Sequence, residues 1–387
     1  MASVEKGPYR IHEWSDVEHQ FGDTIVLGNG ASIAIDQRFS YRDIFDMAWR
    51  HGFISEDENR IFQEYQTTSF ERVLEALRHA ERVSSALMFD KSSLEVIRER
   101  TKKVKQALRD TVAEIHAERK DVSEYFPRIA DFLTHFGRVF SLNYDLIVYW
   151  SLLWAHGVPN RPDRMMDCFS YDADDDLVFR RNVPLNTNRH NLTVVLYPHG
   201  NFALAKERTD ERLGKEIKIT AYSRNVTLLD SIVKHWMSDE YDPLIVSEGS
   251  TFQKTDAISR SDYLRTVVFN ELRNVKESVV FYGFGFRDND SHIIENVFRS
   301  PENIDRVGVS VYFGDKSDGE LIDYCKSAKN KIKSAYRKGE GHSSPPDITF
   351  FDSSSDGAWI YKDEETSQDD ILVETESEYE PDDELPF

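Results

Sequence analysis

Cysteine is nearly absent from this chain: 387 residues contain two, Cys168 and Cys325. A structural zinc site usually takes four Cys or His ligands at close spacing and a disulfide scaffold takes several pairs, so neither is expected to hold this fold together. Positive charge is also short, with 48 Lys and Arg against 69 Asp and Glu and a formal net charge of −21. Unaided nucleic-acid binding needs a basic footprint, which this balance argues against; an anionic ligand has to be held locally. Long apolar runs are missing as well. The longest, Leu146 to Trp154, falls well short of the roughly 20 residues of a membrane helix, and the opening MASVEKGPYRIHEW lacks the apolar region of a secretory signal. The expectation is a soluble, cytoplasmic protein that does not engage a membrane.

What is present is enough to build a core: 40% of the residues are hydrophobic and 12% aromatic, in a length that allows one large or two ordinary domains. Strand formers at Thr24-Ile25-Val26-Leu27 run straight into Gly28-Asn29-Gly30-Ala31-Ser32, which reads as strand, tight turn and helix. From about Tyr41 to Phe136 the chain is helical. Thr68 with Glu71 and Ser92 with Glu95 read as capping boxes ahead of apolar stripes of helical period. Buried strands are then expected at Arg138–Leu142, Leu192–Tyr197, Leu244–Val246, Ser278–Tyr282, Val307–Phe313 and Ile348–Phe351, with a hairpin around Met165 to Phe179 and helices between most of them. Short apolar strands alternating with helices indicate a doubly wound, Rossmann-like parallel α/β sheet, in which ligands sit outside the carboxyl ends of the strands. The expected divisions are residues 1–40 for the first strand and nucleotide turn, 41–136 for a large helical insertion, 137–352 for the rest of the sheet domain and 353–387 for an acidic tail. From Asp363 onward there are twelve acids and no Lys or Arg, the composition of a solvated segment.

The candidate chemistry lies at the expected strand ends. The Gly28–Ser32 turn would aim backbone N–H groups at a pyrophosphate, or it is an ordinary glycine turn. It lacks the third glycine of G-x-G-x-x-G, and the next strand comes about a hundred residues later, which disfavours a hydride-transferring dehydrogenase. Asn143 offers a donor and an acceptor where a substrate would lie, yet Asn and Asp at such a boundary more often cap a helix, and Asp145 shares that ambiguity. His199 directly follows a buried strand and precedes a glycine that allows close approach.

Taken in order, Gly28-Asn29-Gly30-Ala31-Ser32, Leu142-Asn143-Tyr144-Asp145, His199-Gly200 and Tyr282-Gly283-Phe284-Gly285-Phe286 resemble the sirtuin superfamily over roughly residues 23 to 315. Protein-deacylating sirtuins carry a four-cysteine zinc module after the His-Gly pair, whereas Asn201 to Pro243 contains no cysteine. The absent module and the large helical insertion look like the sirtuin-like NAD-hydrolysing proteins of bacterial anti-phage defence, some of which act with a HerA-type hexameric ATPase.

The resemblance implies NAD as substrate, ADP-ribose and nicotinamide as products, and no metal. It makes Asn143 and His199 the reaction centre, with Asp145 orienting the nicotinamide amide. Gly28, Asn29, Gly30 and Ser32 would take the pyrophosphate, and Gly283, Phe284 and Gly285 would form the adenosine wall, with Asp288 or Asn289 at its ribose. Glu248-Gly249-Ser250 is a further candidate for that rim, or a plain turn. The implied partners are NAD, further copies of the chain and such an ATPase. A zinc-free NAD-dependent deacylase and a non-catalytic nucleotide-sensing scaffold are the competing readings.

Overall fold

The computed structural model describes residues 3–40, 44–159, 161, 164–181, 192–208, 214–221, 227–238, 240–246, 250–299, 304–339 and 344–360. Its strands, in chain order, are β1 (Val4–Lys6), β2 (Tyr9–His12), β3 (Thr24–Leu27), β4 (Arg138–Ser141), β5 (Arg164–Met166), β6 (Phe169–Tyr171), β7 (Leu177–Phe179), β8 (Leu192–Leu196), β9 (Gly200–Glu207), β10 (Glu216–Lys218), β11 (Tyr241–Ile245), β12 (Glu277–Tyr282), β13 (Ile304–Val311) and β14 (Asp347–Asp352). Nine form one sheet in the order β1-β2-β14-β13-β12-β3-β4-β8-β5. Every pairing within it is parallel except the β1–β2 hairpin.

The central strands TIVL, RVFS, LTVVL and ESVVFY are buried along nearly their whole length, as expected of strands covered on both faces. Each fully buried Val, Ile or Leu adds about 1.5–3 kcal/mol of transfer free energy. Pairing sets Leu27 level with Tyr282 on one side and Ser141 on the other, and Phe140 level with Leu196. The carboxyl ends of these four strands therefore open onto one edge. From β3 the chain steps outward through β4 to β8, then returns to the other side of β3 for β12, β13 and β14. Between β3 and β12 the direction of winding reverses, which is where such sheets leave a crevice.

Three expectations change. Leu244–Ile245 is not a strand of this sheet; it belongs to β11 in a second, antiparallel sheet of order β11-β9-β10-β7-β6. Local apolar character cannot say which sheet a short strand joins, because long-range pairing decides it. The helix caps also shift. Ser69 caps Phe70–Ala86 and Asp90 caps Lys91–Ile115, each accepting an N–H from the first turn, so Thr68 and Ser92 are not the N-caps. The expected helical block between β3 and β4 is present, and its last helix, Phe126–Thr134, packs on the sheet beside β8. Trp359 is buried against Phe132 and Tyr282, so residues up to 360 belong to the core, and the expected tail boundary at 353 falls too early. Among the described residues no helix is long and apolar enough to cross a membrane.

Candidate functional site

The turns after β3 and β12 are pressed together. Gly28 N–H donates to the Tyr282 carbonyl and Gly30 N–H to the Gly283 carbonyl, both at 2.9 Å. A Cβ on Gly28 would stand 2.6 Å from the Gly283 oxygen, and one on Gly283, whose φ is +62°, would stand 2.3 Å from the Ala31 nitrogen. These glycines are required because two backbones meet where L side chains have no room. The phosphate-holding role expected of the Gly28 and Gly30 N–H groups is not available to them, since both donors are spent on the neighbouring turn. Asn29 donates its side-chain amide to the Phe39 carbonyl at 3.1 Å, closing the loop that follows its helix.

Beside this contact lies a cleft of about 400 Å³. Of the expected residues, Gly28, Asn29, Gly30, Asn143, His199, Gly283, Phe284, Gly285 and Asn289 line it. Ser32 and Asp145 sit beneath it, fully buried. The Ser32 hydroxyl donates to Asp145 Oδ2 at 2.6 Å, so its oxygen is left to accept from Asn143 Nδ2 at 2.8 Å. The same Nδ2 donates to the Gly28 carbonyl at 3.2 Å, which fixes the Asn143 amide and leaves Oδ1 as its acceptor toward the cleft. Asp145 Oδ1 accepts the Ile147 N–H at 3.0 Å, so from the position before the N-cap Leu146 it satisfies the first N–H of the helix Ile147–Gly157. Burial raises the Asp145 pKa, with the Ser32 and Ile147 hydrogen bonds pulling the other way. Asp145 is thus a positioning residue behind Asn143, and the nicotinamide-orienting role expected of it has no geometric basis.

Asp288 is not brought into the cleft. Its side chain is 93% exposed and paired with Lys331. Glu248 and Gly249 lie outside the described residues, and Ser250 caps Thr251–Ser259 in a capping box with Gln253.

His199 connects β8 to β9 and is 3% exposed. Gly200 after it has φ +76°, and a Cβ there would fall 1.9 Å from the Leu244 carbonyl oxygen, so only glycine permits this corner. His199 Nε2 lies 2.9 Å from His292 Nε2. Burial holds His199 well below the ordinary histidine range, helped by the Lys254 ammonium and His292. His292 is pushed down to about 4, again mainly by burial. Both shifts favour the neutral rings at physiological pH.

Three residues that sequence reasoning missed complete this wall. Lys254 and Asp290 line the cleft and are joined at 2.7 Å, and His292 backs His199. Asp290-Ser291-His292, shortly after a glycine-bearing strand end, was a readable signal; Lys254, in an unremarked helix, was not. His199, Asp290 and His292 place donor atoms within 4.8 Å of one another, and imidazole nitrogens with a carboxylate suit a divalent cation. The Asp290 carboxylate, however, already faces a buried ammonium, and a divalent ion there would meet a like charge at low dielectric. Lys254, Asp290, His292 and His199 make a charge-balanced group without a metal.

The fold and this cleft define an α/β protein with a mostly parallel sheet and a polar crevice where the winding reverses. Residues 25–359 match the family described as a domain of unknown function, DUF4917, and the chain belongs to that family. No curated protein matches it.

Proposed function

We propose that this protein is a sirtuin-like NAD hydrolase, releasing nicotinamide and ADP-ribose, on a Rossmann-like scaffold. The observation that carries the reading is the meeting of Asn143 and His199, with both glycine turns, in one cleft at the reversal of the sheet. The strand order supports the scaffold. Taking β3, β4, β8, β12, β13 and β14 as first to sixth, the sheet reads 3-2-1-4-5-6, the order of dinucleotide-binding sheets.

Cleaving the bond between nicotinamide and ribose passes through an oxocarbenium-like state, and nicotinamide leaves as a neutral group. The enzyme must therefore orient the sugar, place water and take up a proton. In this reading Asn143 Oδ1 accepts from the attacking water or a ribose hydroxyl. Only one of the two facing Nε2 atoms can carry hydrogen. If His199 donates to His292, then His199 Nδ1 is left bare as the base, and His292 is the positioning residue that fixes that tautomer. Arg287 is the exposed cationic side chain at the rim, suited to the pyrophosphate that the engaged glycine N–H groups cannot hold.

A role in anti-phage defence by NAD depletion, self-assembly and gating by a HerA-type ATPase extend the same reading, because unrestrained NAD loss would harm the host. The test is incubation of purified protein with NAD, with and without the ATPase, and chromatographic separation of the products. Nicotinamide and ADP-ribose should appear in equal amounts, and Asn143→Ala or His199→Ala should abolish both while the protein stays folded. Intact NAD under every condition, or acyl transfer from a peptide matching NAD loss, would overturn it.

A further inference from the structure

A second cavity, of about 770 Å³, lies apart from the cleft and is the larger of the two. One wall is the insertion helix Phe70–Ala86, which turns Arg72, Glu75, Arg78, His79 and Arg82 toward it at the three-to-four-residue spacing of one helix face. The facing walls, from β9 and from the Thr251–Ser259 helix and its continuation, add Lys206, Arg208, Arg260 and Arg265. In all, seven Lys and Arg side chains meet five carboxylates, in a protein whose net charge is −21. Positive charge is scarce in this chain and is gathered here.

The pairing inside the cavity is incomplete. Arg78 and Arg208 both close on the single carboxylate of Asp242. Among the described residues Arg72 and Arg265 enter no ion pair. Planar guanidiniums match phosphate oxygens two at a time, and repulsion between neighbouring cations is relieved when a polyanion enters. Buried Pro243, Leu244 and Leu264 give the same cavity an apolar floor. The volume suits a small-molecule site.

Two structural elements serve both cavities. β11 forms the floor through Asp242 to Ile245, and the next residue, Val246, donates its N–H to the His199 carbonyl at 2.7 Å. The helix Thr251–Ser259 presents Asp256 to this cavity and Lys254 to the cleft. We propose that the cavity is a binding site for a phosphorylated small molecule of nucleotide size, and that its occupancy changes ligand affinity in the cleft. The anion site stands independently of the NAD-hydrolysing reading; the coupling rests on it.

Calorimetric titration of the full chain with ATP and with inorganic tripolyphosphate tests the site, using Arg72→Gln/Arg265→Gln as the variant because neither side chain lines the cleft. Wild type should bind both probes, more tightly at low salt, and the double variant should bind about tenfold more weakly with an unchanged melting temperature. Equal binding by both proteins, or none by wild type at millimolar probe, would overturn the site. With tripolyphosphate saturating, NAD affinity in wild type should shift by about fivefold or more, and in the double variant it should not. An unchanged NAD affinity removes the coupling. ATP binding that depends on Arg72 and Arg265 in a protein that binds no NAD would overturn both the NAD reading and the coupling, leaving the anion site in place.

Discussion

Ser32 has one hydroxyl hydrogen, and its direction decides how Asn143 is presented. Because it goes to Asp145 Oδ2, the Ser32 oxygen accepts from Asn143 Nδ2, and the Asn143 carbonyl oxygen faces the cleft. Ser32→Ala should leave a buried carboxylate without its donor and the Asn143 amide without its guide. Stability should drop by about 1–3 kcal/mol, with a loss of NAD turnover larger than that drop explains, read from denaturant melts beside initial rates. For His199 the consequence is in pH. A base must be unprotonated, and burial keeps this ring unprotonated to well below its ordinary value. Turnover should therefore stay flat as pH falls through 6.5 and decline only at lower pH; an acid limb centred at 6.5 would contradict the buried assignment. His292→Ala should cut turnover by about 10–100-fold and move that limb upward, since burial and a neighbouring ring no longer oppose protonation, whereas His292→Gln retains an acceptor and should recover part of the rate. Asn143 and His199 were legible in the sequence because each follows an apolar strand directly. Lys254 was not, since nothing in a helix's own pattern says which strand end it will face.

At the scale of elements, the joint between the helical insertion and the sheet passes through His116. This residue ends the helix Lys91–Ile115; its Nδ1 meets the Ala117 carbonyl at 2.7 Å and its Nε2 accepts the Leu146 N–H at 3.1 Å, just after Asn143-Tyr144-Asp145. Accepting at Nε2 requires the neutral ring, and burial pushes its pKa down to about 4. The sign follows from linkage. The unfolded chain takes up a proton below about pH 6.5 and the folded one does not until about 4, so this residue makes the fold less stable as pH falls across that interval. His116→Gln, which keeps an acceptor and does not titrate, should flatten the loss of melting temperature between pH 7 and pH 5; an identical slope would show that His116 is not buried neutral. A second element-scale test is Gly200→Ala. Its Cβ would strike the Leu244 carbonyl at a positive φ, so a cost of at least about 2 kcal/mol and a displaced β11 are expected in thermal melts. The central strands were readable because each is a short, mostly apolar run bounded by polar residues. β9, with the sequence GNFALAKE, was not, for its burial comes from helices and strands far away in the chain. The β1–β2 hairpin escaped notice because its alternation is brief and partly exposed.

At the scale of the whole molecule, five of the exposed large hydrophobic side chains among the described residues gather in one cluster. The helices Phe70–Ala86 and Lys91–Ile115 pack as a hairpin, and around its tip Val83, Leu87, Met88, Phe89 and Val96 are exposed, Met88 at 90%. Scattered exposed hydrophobics are ordinary, but five at the end of one projecting hairpin form a patch that water penalises. The segment at Trp359 offers no such surface, because its indole is already buried in the core. If the chain self-associates as proposed, this tip is the surface that a second copy would cover, and a strongly negative protein would need such a dry contact to offset mutual repulsion. Leu87→Glu/Phe89→Glu should then lower the mass seen by light scattering and steepen its dependence on protein concentration. The tip lines neither cavity, so NAD affinity should be unchanged. Unchanged mass in that variant would remove the tip as the interface, and a monomeric wild type with full activity alone would remove self-assembly while leaving the chemistry of Asn143 and His199 untouched.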